Sequence, residues 1–324
     1  MKYIENDYSK NLMRLNKILY DIQSEKENRK PYVIISRFKR YIKALLELFK
    51  IRKQGLRKTV TNFYWNIKES RIINYTIPYN PEDTKEFDEL EYNLNGKRMV
   101  VYTAVFGGYD NIKQPMFKSD SCDYYAITDQ EIQTDGVWKK YDVSKLGKDF
   151  MSMDNYHKSK YVKLHPEILF PEYDYSMWVD GNVLIVADVI PLFIRAEQWM
   201  MSTFENPLHD DIYTEARFCI YHNAVKEEDI HKQIKEYREK GFPKHYGMRE
   251  FSIIIRKHND ELCVRLMNEW WREVNRMTMR DQISFPYILW RNNLPIDTIH
   301  SLGGTWRTNP RFRFIEHNVN HKYS

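Results

Sequence analysis

The strongest constraint on the fold is an apolar run between Tyr175 and Ile185 that polar residues interrupt once, at Asp180-Gly181-Asn182. This pattern predicts a buried strand that ends at Val179 and presents Asp180 and Asn182 at its carboxyl edge, where open α/β sheets bind ligands. An ordinary turn after a strand explains the tripeptide equally well. The sequence on either side of the tripeptide is needed to choose between a ligand site and a turn.

Length and cysteine usage predict a large globular protein of a reducing compartment. The 324 residues suffice for one large α/β domain with an appendage, whose core needs no disulfides. Cys122, Cys219 and Cys263 are widely spaced and form no Cys-x-x-Cys pair, which favours the cytoplasm. The sequence shows neither a signal peptide nor a run of roughly 20 apolar residues that would span a membrane. We therefore expect a cytoplasmic protein that is soluble or peripheral on the inner face of a membrane.

A basic amphipathic helix is predicted in the N-terminal part of the chain. Its apolar residues recur at helical spacing and would share one face; they are Phe38, Tyr41, Ile42, Leu45, Leu46 and Phe49. Nine lysines and arginines stand between residues 37 and 58 against a single acid, Glu47. Either the helix packs on the main domain with its basic face solvated, or it lies on a membrane surface. No nucleic-acid partner is expected, because the segment contains no reader motif.

The alternation of strands and helices begins only near residue 98. We assign residues 1–96 to a basic helical region and linker, the linker being marked by Pro78 and Pro81, and residues 97–324 to the main domain. Polar residues at successive strand ends are typical of a nucleotide-binding α/β half-domain. Strands are predicted at Met99–Phe106, Asp123–Asp129, Tyr175–Val179, Met200–Phe204 and Phe251–Arg256, and helices at Tyr156–Phe170, Asp229–Lys240, Glu261–Val274 and Ile283–Trp290.

Five ordered motifs resemble the TOD/MUCI-type glycosyltransferase-like domain family, formerly a domain of unknown function. They are Tyr102–Asp110, Asp123–Asp129, Lys160–Pro166, Tyr173–Asn182 and Arg280–Phe285. The resemblance implies an α/β, GT-A-like fold, which is a Rossmann-related mixed sheet flanked by helices, with the N-terminal helical region outside it. It also implies transfer of a sugar from a nucleotide-sugar donor to a glycan or lipid-linked glycan acceptor, in surface polysaccharide or glycoconjugate synthesis.

The resemblance implies a set of residues on the side of the sugar donor. Those expected to line the nucleoside are Thr103, Val105, Phe106, Gly107 and Gly108, and Asp129 would accept hydrogen bonds from base or ribose. Asp180 and Asn182 would hold Mn²⁺ or Mg²⁺ against the diphosphate. His300 is the candidate third ligand, with His317 as its alternative.

Asn182 weakens the metal prediction because its side chain carries no charge. Lys160 and Lys163 are therefore alternative candidates for neutralising the phosphates, although a solvated helix face explains these lysines equally well. On the acceptor side, Asp281 is the first candidate for a carboxylate that orients the hydroxyl or removes its proton, and Asp211 and Glu250 follow. An N-terminal helix cap is the alternative role for Asp281.

Two other functions remain open at this point. The weakened Asp180-Gly181-Asn182 motif is compatible with a GT-A-like protein that binds glycan or nucleotide without turnover. The basic segment at residues 37–58 is compatible with an interaction protein of the membrane surface, for which Asp180 would be irrelevant.

Overall fold

The computed structural model describes residues 2–28, 30–69, 90–91, 94, 96–222 and 224–316. The predicted linker around Pro78 and Pro81 and the candidate ligand His317 lie outside the described residues. None of the described helices is long and apolar enough to cross a bilayer.

The strands, in chain order, are β1 (Lys2–Tyr3), β2 (Leu90–Glu91), β3 (Met99–Val105), β4 (Cys122–Thr128), β5 (Lys139–Lys140), β6 (Tyr175–Val179), β7 (Val183–Ile185), β8 (Met201–Glu205), β9 (Arg249–Arg256), β10 (His300–Ser301) and β11 (Phe312–Phe314). The helices are α1 (Asp7–Asn28), α2 (Lys30–Leu48), α3 (Ile51–Gln54), α4 (Leu56–Glu69), α5 (Gly147–Ser152), α6 (Asn155–Leu164), α7 (Pro166–Leu169), α8 (Ile190–Ala196), α9 (Ile212–Tyr221), α10 (Glu227–Glu239), α11 (Glu261–Arg276) and α12 (Asp281–Arg291). Short 3-10 turns occupy Val143–Leu146 and Ile296–Thr298.

A mixed sheet of seven strands forms the centre of the molecule, in the order β10-β8-β9-β6-β3-β4-β5. Strands β6, β3, β4 and β5 run parallel, and β9 runs antiparallel to both β6 and β8. The predicted α/β class, with a mixed sheet flanked by helices, is confirmed. The carboxyl ends of β3, β4 and β6 meet at one edge, which is where the sequence predicted a ligand site.

Helices cover both faces of the sheet, and the alternation along β3 shows how. Val100 and Tyr102 pack into a core that includes Trp270 of α11 and Phe285 of α12. Val101, between them, packs into the opposite core with residues of α8. Because successive side chains of a strand point to opposite faces, a strand that is covered on both sides is apolar throughout. This explains the continuous apolar run of β3.

One predicted helix is divided in two. The sequence predicted a helix from Tyr156 to Phe170, whereas α6 ends at Leu164 and α7 begins at Pro166. A proline lacks the N–H that a continuous helix needs, and its ring disfavours the helical conformation of the preceding residue. The interruption at His165 leaves the lysine-bearing part of the helix, α6, intact.

The first residues of the chain are bonded to the sheet domain through a buried polar network. Arg311 donates to both carboxylate oxygens of Glu5, at 2.5 and 2.9 Å. The Tyr3 hydroxyl donates to Asp188 at 2.7 Å, and the Asn16 amide donates to the Pro310 carbonyl at 2.9 Å. These contacts join residues on both sides of the boundary predicted at residue 96.

The predicted amphipathic helix is present as α2, but the domain does not cover its apolar face. Helix α2 packs against α4, and Lys58 of α4 forms a 2.6 Å ion pair with Glu227 of α10. The large apolar side chains of α2 that the structure describes, from Phe38 to Leu48, are exposed. Packing on the main domain therefore does not account for this apolar face.

Candidate active-site cleft

A cleft of about 500 Å³ lies at the carboxyl edge of β3 and β6. Its walls are the end of β3 and the residues that follow it, the inner face of α6, the end of β6 and the start of α12. The lining residues are Ala104, Val105, Phe106, Gly107, Tyr109, Asp110, Asn155, Tyr156, Ser159, Lys160, Lys163, Trp178, Asp180, Gly181, Asn182, Met279, Arg280, Asp281 and Gln282. Four of the five sequence motifs thus contribute side chains to one cleft.

Two lysines and two aspartates form a charged cluster in this cleft. Lys163 Nζ donates to Asp281 Oδ2 at 2.7 Å and to Asp180 Oδ1 at 3.3 Å. Lys160 Nζ donates to the same Asp281 oxygen at 2.7 Å. The four formal charges balance, and only Asp180 is substantially open to solvent.

Helix α6 explains why both lysines reach the cluster. Lys160 and Lys163 are three residues apart, so they lie on the same side of the helix. Asp154 caps the helix by accepting the backbone N–H of His157 at 2.8 Å. The side chain of Lys163 is buried and that of Lys160 nearly so, which contradicts a solvated helix face for these two residues.

Asp281 lies in the cluster and does not cap its helix. The N-cap residue of α12 is Arg280, and the Asp281 carboxylate points to the lysines instead. Burial alone would raise the pKa of Asp281, but the neighbouring ammonium groups of Lys160 and Lys163 outweigh it and hold that pKa well below its usual range. Asp281 is therefore charged at neutral pH and is a weak base. Its second oxygen, Oδ1, receives no hydrogen bond from the described residues.

Trp178 is a site residue that the sequence reasoning missed. Its indole N–H donates to Asp180 Oδ1 at 2.6 Å, and Lys163 Nζ lies 5.5 Å from its ring. The signal was present in the sequence, because residues two apart in a strand point to the same face. Arg280 was also missed as a lining residue, and its guanidinium lies 3.6 Å from Glu215.

Two glycines allow the chain to fold closely around the cleft. Gly107 has a φ of 68°, and a Cβ there would stand 2.1 Å from the Asn155 amide nitrogen. A Cβ on Gly181 would stand 2.8 Å from Val105 Cγ2. Larger residues at either position would displace walls of the cleft.

The predicted nucleoside residues separate into two groups. Val105, Phe106 and Gly107 line the cleft, whereas Thr103, Gly108 and Asp129 are not among the lining residues. Thr103 is buried within β3. Both carboxylate oxygens of Asp129 accept the Gly107 N–H, at 3.1 and 2.9 Å, so this residue holds the glycine loop in place.

The predicted metal ligands are not brought together. Asp180 and Asn182 line the cleft, but His300 lies in β10, three strands from β6, or about 14 Å at the usual strand spacing. The His300 ring stacks on Trp199 at 4.7 Å, and burial together with Arg249 and Arg195 lowers its pKa. No group of three His, Cys, Asp or Glu residues suited to a metal occurs in the described part of the chain. With a lysine ammonium 3.3 Å from the only carboxylate of the motif, the donor set fits a divalent cation poorly.

The two remaining acidic candidates have different environments. Asp211 caps α9 by accepting the Tyr213 N–H at 3.3 Å and the Thr214 hydroxyl at 3.1 Å, and it is not a lining residue. Glu250 lies near the start of β9, which neighbours β6, and accepts the Thr305 hydroxyl at 2.8 Å; it is not a lining residue of the cleft either. Burial raises the pKa of Glu250 to about 7, although Thr305 and Arg307 oppose that shift.

Comparison with known proteins agrees with the motifs that meet in the cleft. The model of the TOD1/MUCI70, glycosyltransferase-like domain matches residues 79–301. The Arabidopsis thaliana protein named "Probable hexosyltransferase MUCI70" is 26% identical over 263 residues, which cover 69% of this chain and 44% of that protein. This chain therefore spans less than half the length of that relative.

Two solved glycosyltransferases are distant structural neighbours. Mouse xyloside xylosyltransferase 1 in its apo form superposes with a TM-score of 0.36 at 8% identity, covering 59% of this chain and 80% of that one. The bifunctional glycosyltransferase WbbM, also apo, gives a TM-score of 0.37 at 10% identity, covering 78% and 47%. The family model, in contrast, matches well over half of the 324 residues. The resemblance of the five motifs is confirmed, and the chain belongs to the TOD1/MUCI70 glycosyltransferase-like domain family.

Proposed function

We propose that the chain is a glycosyltransferase of the GT-A type, which binds a nucleotide-sugar donor in the cleft and transfers the sugar to a glycan or lipid-linked glycan. The observation that carries this proposal is the cluster of Lys160, Lys163, Asp180 and Asp281 at the carboxyl edge of the sheet. The Arabidopsis thaliana relative is named a probable hexosyltransferase, which supports a hexosyl transfer. We place the product among surface polysaccharides or glycoconjugates. The expected compartment is the cytoplasm.

The two lysines are the groups that we assign to the diphosphate. In glycosyl transfer, a bond forms between the acceptor oxygen and the anomeric carbon, while the bond from that carbon to the diphosphate breaks and leaves its electron pair on a phosphate oxygen. Fixed cations aimed at that developing charge lower the barrier. Lys160 and Lys163 are oriented by Asp281, so they need little reorganisation when the diphosphate departs. Because the oxygen ligands of the cleft fit a divalent cation poorly, these ammonium groups would neutralise the diphosphate in place of Mn²⁺ or Mg²⁺.

Asp281 and Glu250 are suited to different tasks on this proposal. The lysines make Asp281 a weak base, so we assign it to holding their ammonium groups in place. Glu250 has a pKa of about 7 and lies on the strand beside β6, which suits a residue that removes the proton of the acceptor hydroxyl.

Donor binding without added metal is the first expected result. Nucleotide sugars of several bases, screened by thermal shift in EDTA, should include one class that raises the melting temperature, because a ligand of the native state stabilises it by mass action. A shift that requires Mn²⁺ would contradict the role of the lysines. A shift without any transfer or hydrolysis would favour a binding protein without turnover, and no shift with any donor would contradict the assigned cleft.

A pH dependence is expected from Glu250. As a base it must be deprotonated, so transfer should fall about tenfold per unit as the pH drops below its pKa of about 7. Glu250→Gln should lower transfer and remove this dependence. A pH–rate profile that is the same in the variant as in the native protein would contradict the assignment.

The same variant gives a second, structural readout. A raised carboxyl pKa means that the folded state resists ionisation, so the charge on Glu250 reduces stability as the pH rises from about 4.5 to about 7. Glu250→Gln should therefore raise the melting temperature at pH values above that range and change it little below it. Thermal denaturation across this pH range would measure the difference.

A further inference from the structure

Among the side chains of helix α2 that the structure describes, the large apolar ones face solvent, whereas Ala44 and Glu47 face the protein. The exposed fraction is 64% for Phe38 and 55% for Leu45, whereas it is only 1% for Ala44 and 7% for Glu47. Residues of a helix are about 100° apart, which places Ala44 and Glu47 on the side opposite Phe38 and Leu45. This arrangement inverts that of an ordinary surface helix, whose apolar stripe faces the core.

We call these exposed residues the outer apolar face; they are Phe38, Tyr41, Ile42, Leu45, Leu46 and Phe49. Helix α4, the packing partner of α2, repeats the pattern, because Leu56 and Val60 are exposed while Thr59 between them is buried. Several large apolar side chains exposed on neighbouring turns of a helix indicate an interaction site.

The charge around the outer apolar face indicates what covers it. Exposed basic side chains flank it along the chain; they include Lys39, Lys43, Arg52, Lys53 and Arg57. The one acid between residues 38 and 58, Glu47, is buried and accepts Lys50 Nζ at 2.6 Å and the Asn62 amide at 3.4 Å. The surface thus combines apolar side chains with a positive border, which is the chemistry of helices that lie in the interface of an anionic bilayer.

We propose that helices α2 and α4 dock the protein on an anionic phospholipid surface, with the outer apolar face among the acyl chains. A second copy of the chain is a poorer occupant, because a symmetric contact would bring the same basic borders together. The Lys58–Glu227 ion pair links α4 to the sheet domain at 2.6 Å, so the surface is attached to the domain that carries the cleft. The inference rests on this surface and not on the proposed chemistry of the cleft.

Vesicle co-sedimentation of the full chain tests the proposal. The protein should bind vesicles of phosphatidylcholine that contain about one-third phosphatidylglycerol. It should bind vesicles of phosphatidylcholine alone about tenfold more weakly. High salt should weaken the binding to the anionic vesicles. Equal binding to both compositions, or binding to neither, would overturn the proposal.

Three variants separate the apolar and the basic contributions. Leu45→Gln combined with Phe49→Gln, and separately Lys39→Gln combined with Lys53→Gln, should each reduce partitioning about tenfold. Ile168→Gln, at an exposed position of α7, should leave it unchanged. All these positions are exposed, so the melting temperature should be retained.

The thermal shift that a donor induces should persist in the same variants. This measurement tests the proposed function of the cleft separately from membrane binding. If light scattering instead showed a concentration-dependent dimer that Leu45→Gln with Phe49→Gln dissociates, the outer apolar face would belong to a second copy and the membrane proposal would fail.

Discussion

Replacing Lys163 with methionine should reduce glycosyl transfer by about 10²–10³-fold, the loss typical of removing one preorganised group that stabilises developing charge. Of the two lysines of the cluster, Lys163 is the one that contacts both carboxylates, Asp281 at 2.7 Å and Asp180 at 3.3 Å. Methionine keeps an unbranched side chain of similar length, so the cleft should keep its shape while it loses a cation. Initial rates with the donor identified by thermal shift would measure the effect.

The control for this variant lies on the same helix. Lys158→Met removes an equal charge from α6 at a position that does not line the cleft, and it should retain nearly full activity. Lys160→Met should fall between the two, because Lys160 bonds to Asp281 alone among the carboxylates of the cluster. Full turnover by Lys163→Met, with an unchanged melting temperature, would remove the lysine from the mechanism.

Loss of activity through misfolding has to be separated from loss of the cation. Without Lys163, the buried Asp281 keeps only Lys160 as a partner, and some destabilisation is expected. Lys163→Met leaves one cation, Lys160, beside the two carboxylates Asp180 and Asp281. Adding Asp281→Asn removes this excess negative charge and should recover stability without recovering transfer. Recovery of both would show that Lys163 acts only through the fold.

The local chemistry of the cleft was predictable from the sequence, because it depends on strand ends and helical spacing. The end of β6 at Val179 follows from the change between apolar and polar residues. The pairing of Lys160 with Lys163 follows from their separation. What could not be predicted is which oxygen each ammonium would meet, since Asp281 is more than a hundred residues away in the chain.

Predictions that required the order of the strands fared less well. His300 was a candidate third ligand by resemblance to the glycosyltransferase family, yet β8 and β9 separate its strand from β6. That order follows from long-range packing and leaves no short-range signal in the sequence. The resemblance placed Asp129 near a nucleoside, whereas its carboxylate accepts the Gly107 N–H. The amphipathic pattern of α2 likewise predicts a helix but does not say which side faces the domain.

Replacing Arg311 with methionine should destabilise the whole domain by about 3–5 kcal/mol, the usual cost of leaving one member of a buried ion pair without its partner. Glu5 and Arg311 are both almost completely buried, and Arg311 also donates to the Asp188 carbonyl at 2.6 Å. Chemical denaturation would give the free energy of unfolding. Lys97→Met is the matched control, because it breaks a half-exposed ion pair with Asp174 and should cost less than about 1 kcal/mol.

The double variant Glu5→Leu, Arg311→Met tests whether the loss of stability in Arg311→Met comes from the unpaired Glu5 carboxylate. Removing both charges takes away the unpaired carboxylate, so most of the lost stability should return. A single cooperative transition in all variants would show that the first residues unfold together with the sheet, as their bonds to Asp188 and Pro310 require. If Arg311→Met instead melted only the N-terminal helices and left donor binding intact, the N-terminal region would be a separate unit, and the cleft would not depend on it.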